Sequence, residues 1–286
     1  MHRAPRVSGS AWIQLVAALM IAVVAVLSPR FAFGDLEEHT TISDGGTGTV
    51  SSEGDPLQAG VATAGVSPAG TGYSIMKVSL NSGKTINARW NPCQSAVTWR
   101  ANLSGLPKAK RAAMLKTITA SFKRLSAATG ITYRYQGTTT FVPKTGNLEK
   151  APAEIVVAAV SKSRTDFPMN DNSLGYGGVL WSSWYGGTQG EGAAVMRGYV
   201  VLEAKAIQKL KTGFGSGLRQ SNVILHELGH ASGLEHVKDR KQQMYPTLTT
   251  ASPSGFARGD LTGLKKVGRS AGCIAVPGYA GLKDLN

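Results

Sequence analysis

Three of the chain's five histidines lie in the stretch HELGHASGLEH, residues 226–236. His226 and His230 are four residues apart, which on an α-helix puts both imidazoles on the same side, one turn apart. Two such nitrogens can bind one metal ion, and Zn²⁺ accepts them at about 2.0–2.1 Å. Glu227 is rotated by roughly 100° from His226, so it would reach a water beside the ion rather than the ion itself. The H-E-x-x-H spacing therefore predicts a zinc hydrolase site.

Gly233 and His236 complete the predicted metal site. Glycine adopts positive φ at little cost, so Gly233 can end the helix and reverse the chain. His236, three residues later, can then return to the ion as a third ligand. Three protein ligands leave one position for water, which is typical of a catalytic zinc site. Two histidines four apart are also common as ordinary surface residues, but here five positions agree with the metal site.

The elements around the motif indicate an α/β fold. The motif helix is predicted from about Ser221, with Ser221 or Asn222 as its cap. A long helix is expected between Pro107 and Gly130, with Leu115, Ile118, Phe122 and Leu125 on its buried face. Strands are predicted in a hairpin around residues 81–83 and at residues 95–103, 131–137, 153–162, 177–184 and 195–204. This order predicts a mixed, mostly parallel sheet packed against helices.

With the following Met244-Tyr245-Pro246, the motif resembles that of the metzincin zinc peptidases, and among them the matrixins. The resemblance is strong over residues 221–246 and one of layout over about 95–270. It implies the following site residues: zinc ligands His226, His230 and His236, general base Glu227, turn glycine Gly233 and Met-turn residue Met244.

The resemblance also implies how a peptide substrate would bind. Residues 177–184 would be the edge strand that pairs with it, and residues 255–268 the final helix. Tyr245, Pro246 and Thr247 would form part of the wall of the substrate pocket. A thiol that blocks the zinc in a matrixin propeptide is not evident here, and a second, structural zinc is not expected, because the chain has no further cluster of histidines. A Ca²⁺ site around residues 166–172 is weighed against a polar turn, and the turn is favoured.

The N-terminal region has the composition of a leader followed by a linker. Arg3 and Arg6 precede an apolar run over residues 11–27, and small residues precede Asp35, which predicts a signal peptide over residues 1–34. The alternative is a retained anchor, for which the run is short. Residues 35–72 are rich in Gly, Ser and Thr, and are interpreted as a flexible linker or short pro-segment. The metallopeptidase domain is assigned to residues 73–286.

Cysteine content and charge restrict the environment and partners. Cys93 and Cys273 are predicted to form a disulfide, as expected of an exported protein, rather than to bind metal. The net charge of +14 favours anionic surfaces, but no nucleic-acid-binding module accompanies it. Acidic cell-wall polymers are a candidate partner. No stable membrane association is expected after removal of the leader, and a monomer is expected.

The sequence thus predicts a secreted zinc endopeptidase with one catalytic Zn²⁺ and a protein or peptide substrate. Two alternatives stay open. One is a hydrolase of cell-wall peptides that uses the same site. The other is a non-catalytic zinc-binding module, which the presence of Glu227 and all three histidines disfavours.

Overall fold

The computed structural model describes residues 72–80, 82–184 and 191–275, together with the backbone of residues 30–33 and 38–42. Apart from residues 30–33, 38–42 and 72, the predicted leader and linker lie outside the described residues. No helix within the described part of the chain has the length and apolar character needed to cross a membrane.

Four helices and twelve strands are described. The helices are α1 (Lys108–Thr129), α2 (Ala204–Ile207), α3 (Gln220–His230) and α4 (Arg258–Val267), and short 3₁₀ turns cover Leu148–Lys150, Lys162–Arg164 and Arg269–Ala271. The strands are β1 (Arg30–Phe33), β2 (Glu38–Ile42), β3 (Ser74–Ile75), β4 (Lys77–Ser79), β5 (Thr85–Asn87), β6 (Val97–Asn102), β7 (Tyr133–Thr138), β8 (Ile155–Val160), β9 (Ser173–Trp184), β10 (Gly192–Glu203), β11 (Leu234–Glu235) and β12 (Thr247–Leu248).

The main sheet confirms the predicted mixed, mostly parallel α/β architecture. Its order is β12-β2-β9-β10-β8-β6-β7, with β1 also paired to β9. Strands β7, β6, β8 and β10 are mutually parallel, whereas β9 runs antiparallel to β10. Strand β8, with the sequence IVVAAV, is buried along its whole length, as expected of a strand covered on both faces. β4 and β5 form the predicted hairpin.

The two faces of the sheet are covered differently. Helices α1 and α3 pack on one face, where alternate residues of β8 such as Ile155 and Val157 join the larger core. On the other face, Ala158 and Val160 join a smaller core, in which Phe167 stacks on Tyr199 with ring centroids 4.5 Å apart. Helix α3 is therefore held against both the sheet and the long helix α1.

The long helix α1 begins and ends where the sequence predicts. Pro107 precedes its first residue, and Gly130, at φ 70°, ends it in the left-handed region. Its buried stripe contains Met114, whereas Leu115 is only half-buried. Leu115 still packs against the core together with the buried Ile118, Phe122 and Leu125, so the predicted stripe is confirmed and Met114 adds to it.

Two predictions of local structure are corrected. Neither Ser221 nor Asn222 caps α3; the cap position is Arg219, and both residues lie inside the helix. The Ser221 hydroxyl and the Asn222 amide instead donate to backbone carbonyls of the preceding loop, at Gly213 and Gly217. The strand predicted at residues 177–184 begins four residues earlier, at Ser173 of β9.

Cys93 and Cys273 form the predicted disulfide, with their Cα atoms 5.3 Å apart. The same ends of the domain are joined by further hydrogen bonds. Arg89 donates to the Gly272 carbonyl at 2.8 Å, and Asn91 donates to the Ile274 carbonyl at 3.1 Å. The beginning and the end of the domain are therefore fastened both covalently and by hydrogen bonds.

Candidate active site

Helix α3 brings the first two histidines of the motif together. The Nε2 atoms of His226 and His230 lie 3.1 Å apart, and both side chains are buried. The indole of Trp90 donates to the Ala231 carbonyl at 2.9 Å and so fixes the end of this helix. The positions of these two imidazoles follow directly from their spacing of four residues in the sequence.

Gly233 reverses the chain after α3. Its φ is 91°, and a Cβ at this position would lie 2.4 Å from the carbonyl oxygen of Ala88. Its carbonyl accepts a hydrogen bond from the Met76 amide at 2.9 Å, and the following β11 pairs antiparallel with β3. The reversal brings Nε2 of His236 to 2.9 Å from Nε2 of His226. A side chain at position 233 would be strained and would also have no space.

Backbone carbonyls orient the two imidazoles of α3. Nδ1 of His226 lies 2.8 Å from the Gln243 carbonyl oxygen, and Nδ1 of His230 lies 2.9 Å from that of Leu234. A carbonyl can only accept, so each Nδ1 is the donor in these bonds. Each Nε2 therefore presents its lone pair toward the centre of the cluster, which is how histidines that bind a metal are usually held.

Burial keeps these two imidazoles neutral. It lowers the pKa of His226 to about 3, with a smaller effect from His236 in the same direction, while the hydrogen bond to Gln243 opposes the shift. The pKa of His230 is also lowered well below its ordinary value, first by burial and then by its two neighbouring histidines. Both rings are thus in the protonation state that binds a metal ion.

The donor set fits a zinc ion. Three imidazole ligand atoms lie within 4.8 Å of one another. A tetrahedral ion with Zn–N bonds of about 2.0–2.1 Å spaces its ligand nitrogens roughly 3.3 Å apart, close to the separations here. Lone pairs facing each other at such distances repel unless a cation lies between them. No other group of three potential ligands converges in this way within the described residues.

Glu227, a residue of α3, is buried against strand β9. A Cβ on Gly175 would lie 2.5 Å from its Oε1 atom, and a Cβ on Gly177 would lie 2.5 Å from its backbone oxygen. Two glycines of β9 therefore allow the helix to approach the strand closely and leave space for the carboxylate. This role of Gly175 and Gly177 was not predicted from the sequence.

Met244 packs beneath the histidines. Its Sδ atom occupies the space beside Gly229 of α3, where an added Cβ would lie only 2.3 Å away. Its carbonyl accepts a hydrogen bond from the amide of Val237, the residue after His236, at 3.0 Å. The turn that contains Met244 thus supports both the helix and the segment that carries the third histidine.

Asp260 of α4 fixes this turn and was not predicted from the sequence. Its carboxylate accepts hydrogen bonds from the amides of Gln243 at 2.7 Å, Met244 at 3.2 Å and Ala257 at 2.7 Å. The carbonyl of Gln243 in turn holds the imidazole of His226. Burial raises the pKa of Asp260 to about 6, and the three backbone hydrogen bonds oppose that shift. An acid in the first turn of a helix gave no signal of this long-range contact.

The predicted pocket-wall residues follow the turn. Tyr245 and Pro246 are half-buried, and Thr247 begins β12. The guanidinium carbon of Arg240 lies 5.7 Å from the ring centroid of Tyr245. Strand β12 is parallel to β2, which separates it from β9.

The acidic and amide residues considered for Ca²⁺ make structural contacts. Asp166 accepts from the amide and hydroxyl of Thr145 at 2.8 and 2.7 Å. Asp171 pairs with Lys162, and the side chain of Asn170 accepts from the amide of Asn172 at 2.8 Å.

Comparison with known proteins agrees with this geometry. The family model for matrixin peptidases matches residues 89–267, which cover strands β6 to β12, helices α1 to α4 and the histidine cluster. No curated protein matches the chain. Because the match extends over more than half of the sequence, the chain belongs to the matrixin family of metallopeptidases.

Proposed function

We propose that His226, His230 and His236 hold one zinc ion and that Glu227 is the general base for hydrolysis of peptide bonds. Family membership gives the broader activity, that of a zinc-dependent metallopeptidase. The observation that carries the proposal is the convergence of three imidazole Nε2 atoms beside a buried carboxylate. Two of those imidazoles are oriented by backbone carbonyls.

Zinc, when bound, supplies a Lewis acid that lowers the pKa of a water molecule toward about 7 and polarises a carbonyl group. Glu227 accepts a proton from the attacking water and donates it to the leaving amine. The glycines of β9 keep its carboxylate close to the strand along which an extended peptide would pair. The chain thus positions the base and the substrate backbone through the same strand.

We also propose that the enzyme acts outside the cell, with residues 1–34 as a removed signal peptide and residues 73–286 as the metallopeptidase domain. The disulfide between Cys93 and Cys273 supports this, because such bonds persist in oxidising compartments. Sequencing the N-terminus of the exported protein tests it. A start at Asp35 is expected, and retention of residues 1–34 would contradict it.

A digest of a peptide library by the exported protein, with and without a chelator, tests the activity. We expect internal cleavage that the chelator abolishes and added Zn²⁺ restores. Mass spectrometry of the products would also define the cleavage-site preference. One bound zinc per chain with no cleavage of any peptide would instead support a non-catalytic binding module.

A second candidate substrate is the peptide portion of a bacterial cell wall. The observation that favours it is the exposed face of α1, which carries six basic residues and no acidic one: Lys108, Lys110, Arg111, Lys116, Lys123 and Arg124. Such a face attracts anionic polymers in a salt-dependent manner. Release of peptides from purified walls but not from casein would favour this substrate.

A further inference from the structure

Helices α1 and α4 pack against each other, and both carry basic residues on their exposed sides. To the six basic residues of α1, helix α4 and the turn after it add Arg258, Lys265, Lys266 and Arg269, which are also exposed. Residues 104–130 and 246–275, which contain the two helices and their flanking loops, hold a single acidic residue, Asp260, and it is buried. No exposed acid therefore offsets the positive charge of these two described segments.

A groove with a largely apolar lining lies between the two helices. It has a volume of about 550 Å³ and is lined by Ala127 and Ala128 of α1, by residues 253–257 and by Leu261 of α4. Leu261 is 44% exposed and is one of two large apolar side chains that are exposed within the described residues. A volume of this size is typical of clefts that bind a ligand.

Arg124 places a positive charge at one wall of this groove. Its guanidinium donates to the Ser254 carbonyl at 3.0 Å, and its Cζ atom lies 3.9 Å from the ring centroid of Phe214. An added Cβ at Gly255 would lie 2.9 Å from its Nη1 atom, so the absence of a side chain there leaves space for the guanidinium. The guanidinium is thus held in one position while its side chain stays exposed.

Two more cations border the groove on α4. Arg258 lies three residues before Leu261 and Lys265 four residues after it, so all three side chains share one face of the helix. The basic groove between α1 and α4 therefore combines an apolar lining with positive charges at its edges. This combination is complementary to an acidic polypeptide segment with apolar side chains. An anionic polysaccharide or a polyphosphate would match the charges but would have no side chain for the apolar lining.

The basic groove is close to the predicted substrate pocket. Thr247 ends the predicted pocket wall, and Pro253 begins the lining of the groove six residues later, a stretch that spans no more than about 22 Å. The carboxylate of Asp260 joins the two regions, because it accepts from the amide of Met244 at 3.2 Å and from that of Ala257 at 2.7 Å. A substrate in the proposed active site can therefore reach the basic groove with residues roughly six or more positions from the bond that is cleaved.

We propose that the basic groove is a docking site for an acidic segment with apolar side chains that lies outside the cleaved stretch of a protein substrate. This inference rests on the proposed function and specifies the class of substrate. Docking raises the local concentration of the cleavable stretch at the active site, so it lowers KM and leaves kcat unchanged. Because the charges at the edges are exposed, the affinity falls as ionic strength rises.

Fluorescence anisotropy tests the docking site without any cleavage. The probe is a fluorescein-labelled peptide of leucines flanked by glutamates, added to the full chain carrying Glu227→Ala. Lys265→Glu reverses one charge beside the basic groove. Lys84→Glu makes the same change at an exposed lysine in the turn between β4 and β5 and is the matched control. We expect Lys265→Glu and Leu261→Ser each to weaken binding at least about threefold, and Lys84→Glu to leave it unchanged.

Lys265 and Leu261 are both exposed, so wild-type Tm and zinc content check that the two variants fold. Wild-type affinity in either variant would overturn the proposal. So would a loss in Lys84→Glu as large as that in Lys265→Glu, since it would show a general attraction to a basic protein. Equal affinity for a peptide with serine in place of every leucine would also overturn it and would assign the surface to linear polyanions in general.

Initial rates with Glu227 intact test the effect on catalysis. Two substrates share one cleavable stretch taken from the peptide library and one glycine–serine linker. In one substrate the linker continues into the glutamate–leucine segment, and in the other into a segment of glutamine and serine. We expect a KM at least about threefold lower for the first substrate at equal kcat, and Lys265→Glu should remove the difference.

The two proposals can fail separately. Equal KM values for the two substrates in the unsubstituted chain would overturn the docking of substrates while the endopeptidase activity stands. If the probe binds as expected but no form of the protein cleaves any peptide, the endopeptidase proposal fails while the binding of acidic, apolar segments at the basic groove stands.

Discussion

Asp260 is expected to support the metal site from a distance. Its carboxylate holds the amides of Gln243 and Met244, and the carbonyl of Gln243 holds the imidazole of His226. Replacement by alanine leaves both buried amides without this acceptor and frees the turn to move. We therefore expect Asp260→Ala to lower both the stability of the domain and its affinity for zinc.

The size of each effect follows from these contacts. Two buried amides without partners cost about 1–3 kcal/mol each. At neutral pH the wild-type carboxylate is itself destabilised by burial, as its pKa of about 6 indicates, so its removal offsets part of the cost of the two unpaired amides. The net loss is then about 2 kcal/mol, or roughly 4–8 °C in Tm for a domain of this size. Loss of a group that orients a ligand weakens metal binding by about 10–100-fold.

Thermal denaturation and competition with a chromophoric zinc chelator measure the two effects. Asp239→Ala is the matched control. Asp239 also accepts a hydrogen bond from a backbone amide, that of Lys241 at 3.0 Å, but its side chain is exposed. The control should change the free energy of unfolding by less than about 0.5 kcal/mol. Wild-type zinc affinity and Tm in Asp260→Ala would refute the proposed support of the site.

Three further predictions concern pH, the base and the disulfide. The pKa of Asp260 is raised from its unfolded value of 3.8 to about 6, so the stability that its protonated form contributes is full below about pH 4 and is lost as pH rises through 6. In urea titrations, the free energy of unfolding of Asp260→Asn relative to wild type should therefore rise by up to about 3 kcal/mol between pH 4 and 7. A difference that stays constant with pH would contradict this. Gly175→Ala should displace the carboxylate of Glu227 and lower kcat about 100-fold at unchanged zinc content. Gly146→Ala, the control, has open space around its Cβ position and should keep the wild-type kcat. A wild-type kcat in Gly175→Ala would show that the space beside Glu227 is not needed. Replacing both Cys93 and Cys273 by alanine should lower the free energy of unfolding by up to about 5 kcal/mol, because the disulfide closes a loop of 180 residues. Guanidinium titrations measure this, and an unchanged midpoint would contradict a stabilising role.

The parts of the site that the sequence predicted are those set by local geometry. The spacing of His226 and His230 becomes a spatial relation as soon as the helix forms. Gly233 adopts its positive φ three residues after α3 ends at His230, so the return of His236 also depends on a short stretch of chain. Regular strands such as β8 were predicted because their apolar runs are continuous.

The parts that were missed depend on contacts between distant segments. Asp260 reaches the Met-turn from the final helix, and Gly175 meets Glu227 across the interface of strand and helix. The capping prediction at Ser221 and Asn222 failed because the preceding loop offers carbonyl acceptors to both side chains. None of these partners can be identified from neighbouring residues in the sequence.

The rate of peptide hydrolysis by zinc-loaded Glu227→Ala tests the central claim most directly. The substitution removes the proposed base and leaves all three imidazoles and their backbone partners in place. We predict one zinc per chain and a kcat reduced by at least about 100-fold, as expected for loss of a general base. A zinc-loaded variant with the wild-type rate would contradict the assignment of Glu227 and the mechanism built on it.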